Sequence, residues 1–260
     1  MTSAKTITKF VLASSLGLWL ISFFQKDRFP DKSAILPELS RPPIQTETDA
    51  QPFEIQRRGV TYRVTPMHDY ELYGMVVSEN DFRDFWEKVH EDLKDHINVK
   101  DLCVIWGPNV ESGIYQKLEF SSGEWTCYYE WKTGSDRESW AQFQPNALSN
   151  NHLLSDKSEI LAKTALAKRG DQIHFKGHLV KYSSNFMKAP RISSTVREDN
   201  GCEVVYLTQL EILKKANRFW RSLFSLSGRV ALVCIILFMS HFLIEIGKVV
   251  KHEGRKQNGD

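Results

Sequence analysis

Polar side chains that could contact a ligand gather in a few short stretches near the middle of the sequence. Asn150, Asn151 and His152 are adjacent, and we interpret their stretch as a loop. Loops on a rigid scaffold often carry binding residues, so these two amides and the imidazole are candidate ligand contacts. The alternative is that the asparagines brace a tight turn.

Further candidate ligand contacts lie close to the ends of predicted strands. They are two carboxylates, an amide and two guanidinium groups, from Asp101, Asn109, Asp171, Arg191 and Arg197. The two arginines bracket three hydroxyl-bearing residues and could together bind an anion. The alternative is a solvated strand edge that binds nothing.

Three cysteines, Cys103, Cys127 and Cys202, lie in the middle of the chain, and a fourth, Cys234, lies in an apolar segment. In an oxidising compartment we favour a Cys103–Cys127 disulfide, because both residues lie on predicted strands that could be neighbours. Cys202 is the alternative partner for either of them. In a reducing compartment all three would instead be buried small apolar residues.

The histidines lack the spacing of a metal site. His90 and His96 are six residues apart, which would place their rings on different faces of a helix, and the pattern His-Glu-x-x-His is absent. His174 and His178 would lie about 13 Å apart on one strand face, too far to share a metal. We therefore expect no metal and no cofactor.

No sequence motif of a known catalytic site is present. A phosphate-binding glycine loop, a Gly-x-Ser-x-Gly elbow and a paired-carboxylate signature are all missing. We assign no catalytic residue and favour a non-enzymatic role. The less favoured enzyme hypothesis is a hydrolase or thiol enzyme that uses His152 or Cys202 with Asp171 or Glu203.

These candidate residues lie between two apolar segments that predict membrane-spanning helices. We place one helix at 10–24 and the other at 229–247, which leaves short tails at 1–9 and 248–260. The first helix is an uncleaved signal anchor, because no small-residue cleavage pattern follows it. A basic, amphipathic lead-in at 214–228 would lie on the membrane surface before the second helix.

The charges beside the two helices bias the membrane topology. Lysines and arginines in both short tails favour cytoplasmic termini, with the middle domain outside the cytoplasm, although basic residues on the inner sides of the helices oppose this. We expect a two-pass protein of a bacterial inner membrane. The lipid bilayer is then an obligatory partner.

The middle of the chain predicts an α+β fold. Five of the nine prolines fall between Pro30 and Pro52, so we expect a spacer at 25–52 and a β-rich globular domain at 53–213. Strand patterns at 60–64 and 72–77 precede an amphipathic helix at 79–96, and a hairpin follows. The segments 191–196 and 202–213 predict a last pair of strands. A helix from Ser158 feeding a Gly-Asp strand is compatible with a curled antiparallel sheet of OB-like form.

Several short motifs resemble those of bacterial membrane-anchored proteins. The motifs are Asp-Leu-Cys-Val-Ile-Trp-Gly at 101–107, Ser-Asn-Asn-His-Leu at 149–153 and Gly-Asp-Gln-Ile at 170–173. The resemblance covers roughly residues 55 to 213, including 191–197 and 201–203. It implies an origin in the bacterial envelope and brings no activity, ligand or cofactor with it.

Three functional hypotheses follow. The first is a membrane-anchored, non-enzymatic binding or assembly protein of the bacterial envelope, with a protein partner or a second copy of itself. The second is a membrane effector whose cytoplasmic OB-like domain senses a nucleotide or oligonucleotide, with His174, Lys176 and His178 exposed on one strand. The net charge of +2 makes nucleic acid an unfavoured partner. The third is the envelope enzyme described above.

Overall fold

The structure is a computed structural model that describes residues 4–82, 92–123, 125–134, 137–196 and 201–257. These residues form two compact units. One unit comprises the terminal segments up to Arg28 and from Asn217, and the other extends from Phe29 to Ala216. Helical and strand content are both large, which confirms the predicted α+β class.

The terminal unit contains two long apolar helices. Helix α1 (Ala4–Gln25) and the last helix of the chain (Arg218–Gln257) are both long and apolar enough to cross a membrane. Within this unit the Trp19 and Phe224 rings stack with centroids 5.1 Å apart. The predicted lead-in at 214–228 is not a separate element, because the second helix is continuous from Arg218.

The described part of the middle unit contains ten strands and three helices. The strands are β1 (Ile44–Glu47), β2 (Phe53–Arg57), β3 (Val60–Asp81), β4 (Asn98–Ile105), β5 (Leu118–Ser122), β6 (Cys127–Trp131), β7 (Leu148–Leu154), β8 (Gln172–Ser184), β9 (Arg191–Ile192) and β10 (Glu203–Lys214). The helices are α2 (Pro108–Ser112), α3 (Arg137–Gln142) and α4 (Ser158–Leu166), and short 3-10 helices lie at Lys32–Ala34, Pro37–Ser40, Ile114–Lys117 and Pro145–Ala147. The long apolar helix that begins at Arg218 is α5.

Five of these strands close into a barrel. β3 pairs with β4, β4 with β7, β7 with β10, β10 with β8, and β8 returns to β3. Every pairing is antiparallel except β7 with β10, and α4 connects β7 to β8. A five-stranded barrel with this order and this helix position has the OB-type arrangement, in agreement with the predicted curled sheet.

The length of β3 makes the closure possible. Its first part pairs with β8 from Tyr62 to Met75, and its last part pairs with β4 from Met75 to Asp81. The sequence predicts two separate strands here, and the structure shows one. Apolar side chains from all five strands fill the barrel interior, among them Leu72, Leu102, Leu153, Phe175 and Val205.

A layer outside the barrel covers part of β3 and β4. The hairpin of β5 and β6 matches the predicted one, and its neighbours α2 and the 3-10 helix at Ile114–Lys117 add buried side chains to a second apolar cluster. Cys103 lies in this cluster and is bonded to Cys127 of β6, with Cα atoms 6.0 Å apart. The hairpin is thus covalently tied to the barrel.

The segment expected to be a spacer is ordered. Leu39 is fully buried in the second apolar cluster, and β1 pairs with β3 through Ile44 to Glu47. Residues from Phe29 onward therefore belong to the folded unit, contrary to the predicted start near residue 53. Prolines misled the prediction because they also suit short 3-10 helices and edge strands.

Two further predictions need comment. Half of the helix predicted at 79–96, residues 83–91, lies outside the described residues. Its predicted start is wrong, because residues 79–81 continue β3. The segment from Arg191 pairs with β8, whereas β10 pairs with β8 and β7. The expected pairing of 191–196 with 202–213 is therefore also wrong.

Candidate functional site on the outer face of the barrel

Strand alternation sorts the candidate residues of β4 and β7 into two sets. Leu102 and Leu153 point into the barrel core, so the neighbouring Asp101 and His152 face outward. Asn150, two residues before His152, shares its outward face. The sequence interpretation of this stretch as a loop is wrong, because residues 148–154 form a central barrel strand.

Asp101 and His152 form a buried pair on this face. They are register partners in β4 and β7, and Asp101 Oδ1 lies 2.6 Å from His152 Nδ1. Burial disfavours the charged imidazole, but hydrogen bonding and charge from Asp101, with a contribution from Cys202, raise the pKa of His152 to about 9. His152 is therefore an imidazolium at neutral pH.

Cys202 lies beside this pair, just before β10 begins. Its side chain hydrogen-bonds His152, and its thiol donates to the Trp125 carbonyl oxygen at 3.4 Å. Asn150 Nδ2 is 3.8 Å from the Cys202 sulfur and 3.4 Å from the Trp125 oxygen. Cys202 is half-buried and is not part of a disulfide.

Arg191 closes the other side of the site. Its guanidinium carbon lies 3.6 Å from the centroid of the Trp125 ring, which is a cation–π contact. The same guanidinium lies 3.6 Å from Asp95 Oδ2, and the Tyr182 hydroxyl donates to that oxygen at 2.7 Å. Asp95 is buried, so the positive charge of Arg191 is locally balanced.

Two cavities open on this face and both are lined by Cys202. The larger, about 370 Å³, is lined by Trp125, His152, Arg191, Ile192, Cys202 and Val204. The smaller, about 180 Å³, is lined by polar groups that include Thr126, Tyr129, Asn146, Ser149, Asn150 and Glu203. Asn150 Oδ1 is buried here and accepts no hydrogen bond from any described residue.

Three of the predicted ligand contacts do not belong to this site. Asn151 faces the barrel interior and donates to Ser149 Oγ at 2.8 Å. Asn109 is fully buried and holds the backbone of Gln144 and Ala147. Asp171 is fully buried and accepts from the backbone amides of Lys168 and Ala216. Arg197 lies outside the described residues.

The exposed histidine face expected for a nucleotide sensor is largely paired. His174 is buried, stacks on Tyr73 and hydrogen-bonds Glu71 at 2.7 Å, and Lys176 lies 3.2 Å from the same carboxylate. His178 pairs with Asp69 at 2.8 Å. Each basic group on this face therefore has an acidic neighbour, which weakens any attraction for phosphate.

Two site residues, Trp125 and Asp95, have no distinctive signal in the sequence. Trp125 stands in the hairpin turn and reaches the site only because the disulfide and the β5–β6 pairing fold the hairpin over the barrel. Asp95 precedes β4 and meets Arg191 across 96 positions of the chain, a contact that no local pattern encodes.

Among the described residues, no group of three or more His, Cys, Asp or Glu side chains could hold a metal ion. Comparison with known proteins adds no assignment, since no family model, no curated protein and no solved structure matches the chain. The chemistry of the site therefore has to be argued from its own geometry.

Proposed function

We propose that this protein is a membrane-anchored binding protein of the bacterial envelope, and that its barrel holds a polar, uncharged ligand on its outer face. An oligosaccharide is the class that fits best. The observation that carries the proposal is Asn150, which lines a polar cavity and whose Oδ1 is a buried acceptor without a donor among the described residues. Buried acceptors are normally satisfied, so a ligand N–H or O–H group would suit this position.

The balance of charge at the site supports an uncharged ligand. His152 faces Asp101 and Arg191 faces Asp95, so each cation already has an anion within reach. An anionic ligand would have to compete with these carboxylates. The smaller cavity instead offers amide and hydroxyl groups beside the exposed ring of Tyr129, a combination that can hydrogen-bond and stack on a sugar.

The position on the barrel also supports a binding role. In OB-type barrels the face formed by the second and third strands binds oligosaccharides and oligonucleotides. Here those strands are β4 and β7, which carry Asp101, Asn150 and His152. The analogy between folds indicates the binding surface, whereas the residues on that surface indicate the class of ligand.

The Cys103–Cys127 disulfide supports a domain outside the cytoplasm, because such bonds persist in oxidising compartments. Cytoplasmic termini would follow if α1 and α5 both cross the membrane. Protease treatment of intact spheroplasts tests this placement. We expect the middle unit to be cleaved while a cytoplasmic control protein survives, and protection of the middle unit until lysis would place it in the cytoplasm.

Binding is tested with the full chain in detergent micelles and with oligomers of N-acetylglucosamine as the probe, because their acetamido N–H can donate to Asn150 Oδ1. Titration followed by tryptophan fluorescence should show saturable binding. Asn150→Ala and Tyr129→Ala should each weaken it about tenfold, equivalent to the ~1.4 kcal/mol of one hydrogen bond or stacking contact.

Tyr128→Ala is the matched control. Tyr128 precedes Tyr129 on the same strand, is exposed, and lines neither cavity. Its removal should leave the dissociation constant unchanged. Absence of saturable binding to any oligosaccharide would refute the ligand class, and preferential binding of oligothymidylate would favour the nucleotide-sensing alternative.

A further inference from the structure

We propose that Cys202, His152 and Asp101 form a reactive thiol site that exchanges with disulfides, a chemistry separate from saccharide binding. In this site Cys202 is the nucleophile, the His152 imidazolium stabilises the Cys202 thiolate, and Asp101 is a positioning residue. The substrate class is a small or exposed disulfide that enters the larger cavity. This class suits a domain that itself contains a disulfide.

The geometry is that of an activated nucleophile. Asp101 Oδ1 lies 2.6 Å from His152 Nδ1, which leaves Nε2 as the ring nitrogen available to Cys202 in the cavity that both residues line. A cysteine beside an imidazolium that a third group holds in place is one form of activated nucleophile. The three residues come from different places, β4, β7 and the start of β10, yet the barrel brings them into contact.

Access to the sulfur is also provided. Cys202 is half-buried and lines both outer cavities, His152 lines the larger one beside it, and Asp101 is buried. The thiol is therefore open to an approaching disulfide at the cavity that the imidazole also lines. A buried structural cysteine would lack this exposure.

The groups around His152 act in opposite directions on the thiolate. The His152 imidazolium and the Asn150 amide stabilise a negative sulfur, and Arg191 adds positive charge on the far side of the larger cavity. The Trp125 carbonyl accepts the thiol proton and favours the neutral form. Three carboxylates also lie near the site, from Asp101, Asp95 and Glu203. Asp101 pairs with His152, and Asp95 pairs with Arg191.

The proposed step conserves atoms and electrons. Because His152 is already an imidazolium, the Cys202 thiol loses its proton to water, and the thiolate beside the imidazolium attacks one sulfur of the incoming disulfide. A new S–S bond forms to Cys202 as the incoming S–S bond breaks, and the second sulfur leaves as a thiolate with the bonding electron pair. Cys202 is oxidised and the leaving sulfur is reduced, so no other oxidant is needed.

The test uses the full chain in detergent, in a Cys234→Ser background where Cys202 is the single free thiol. The probe is 5,5′-dithiobis(2-nitrobenzoate), and the rate of nitrothiobenzoate release is measured from pH 6 to pH 8. We expect a change of less than about threefold over this range. An ordinary thiol with pKa ~8.5 would lose roughly 50- to 100-fold between pH 8 and pH 6.

Variants assign the roles. His152→Gln should lower the rate at pH 6 at least about tenfold and restore the steep profile, and Asp101→Asn should shift the profile in the same direction. His178→Gln removes a His–Asp pair of similar geometry on β8 and should change nothing. Cys202→Ser should abolish the reaction, with the adduct in the parent mapped to Cys202 by mass spectrometry.

Two results would overturn the proposal. One is a wild-type profile that follows an ordinary thiol, and the other is a thiol that reacts only after denaturation. Circular dichroism at each pH establishes that a variant is folded. If His152→Gln does not fold, the pH profile of the Cys234→Ser parent decides the question alone.

Discussion

Asp101 and His152 are cross-strand partners on the outer face of the barrel, and their side chains meet at 2.6 Å. Both are almost fully buried, so water screens their interaction little. A buried carboxylate beside an imidazole favours the imidazolium, and this holds the proton on His152 at neutral pH. The predictions on stability and the proposed thiol chemistry and ligand preference all depend on this one contact.

The stability of the middle unit should fall as the pH rises from about 6.5 to 9. The folded state raises the pKa of His152 from 6.5 to about 9, so it binds a proton that the unfolded chain has lost. This contribution is fully present below pH 6.5 and disappears as the pH passes through about 9. Its upper limit is about 3 kcal/mol, from ~1.4 kcal/mol per pKa unit.

Urea unfolding at several pH values measures this dependence, in a Cys202→Ser, Cys234→Ser background that prevents oxidation. Asp101→Asn should remove most of the pH dependence because it removes the main cause of the raised pKa. His178→Gln is the control, since His178 lies on the exposed surface of β8. A stability that is constant between pH 6.5 and 9 would contradict the assignment.

Loss of the Cys103–Cys127 disulfide should destabilise the middle unit by about 3 kcal/mol. The bond joins two residues with a sequence separation of 24 and so restricts the unfolded chain. For a loop of this length, the entropy that the bond removes from the unfolded state is worth about 3 kcal/mol of stability. The double variant Cys103→Ser, Cys127→Ser and the reduced parent should therefore unfold at similarly lower denaturant concentrations. The reducing agent should not destabilise the double variant further. If it destabilised the double variant and the parent equally, the disulfide would join other cysteines.

The sequence predicted those parts of the fold that depend on local patterns. The hairpin of β5 and β6, helix α4 and the two apolar terminal helices follow from turn residues and periodicity within short windows. Barrel closure depends on β3 pairing with two partners, β4 and β8, that are far away in sequence. No local sequence pattern specifies such a closure. A single strand as long as β3 gives the pattern of two shorter strands.

The candidate site was predicted only in part for the same reason. Asp101, His152 and Arg191 were identified from side-chain type, but the stretch around His152 was interpreted as a loop because asparagines favour turns. Its polar residues stand in a strand because the Asn151 amide nitrogen donates to Ser149 Oγ inside the barrel and His152 is paired by Asp101 outside. Hydrogen bonds made by the folded barrel thus override the local preference of asparagine for turns.

Asn109 and Asn150 should separate stability from binding. Asn109 makes three hydrogen bonds to backbone groups around Gln144 and Ala147, so Asn109→Ala should cost about 3 kcal/mol of unfolding free energy. Asn150 makes only long contacts, at 3.4 and 3.8 Å, so Asn150→Ala should cost less than about 1 kcal/mol. Urea unfolding measures both values.

In oligosaccharide binding the order should be reversed, with Asn150→Ala affected more than Asn109→Ala. Asn109 lines neither outer cavity, and folded Asn109→Ala should bind with the parental dissociation constant. Asn150→Ala should bind more weakly, as argued above. If Asn109→Ala weakened binding while Asn150→Ala did not, the ligand would occupy a different place from the smaller cavity.

Gly177 should be indispensable for barrel closure. It lies in β8 opposite Tyr70 of β3 on one side and Leu207 of β10 on the other. A Cβ atom at this position would overlap the carbonyl oxygen of Tyr206, which is backbone and cannot rotate away. Gly177→Ala must therefore push β8 and β10 apart, just before the irregular register between Leu207 and Gln209.

We expect Gly177→Ala to destabilise the middle unit by about 3 kcal/mol, at the upper end of the range for overpacking because the obstacle is main chain. Thermal unfolding with circular dichroism measures the loss, and Lys176→Ala at the adjacent, exposed position is the control. Since His152 lies on β7, which pairs with β10, and Cys202 directly precedes β10, the folded fraction of Gly177→Ala should also lose the flat pH profile of the thiol. A stable Gly177→Ala variant would mean that β8 and β10 are not closely paired at this point.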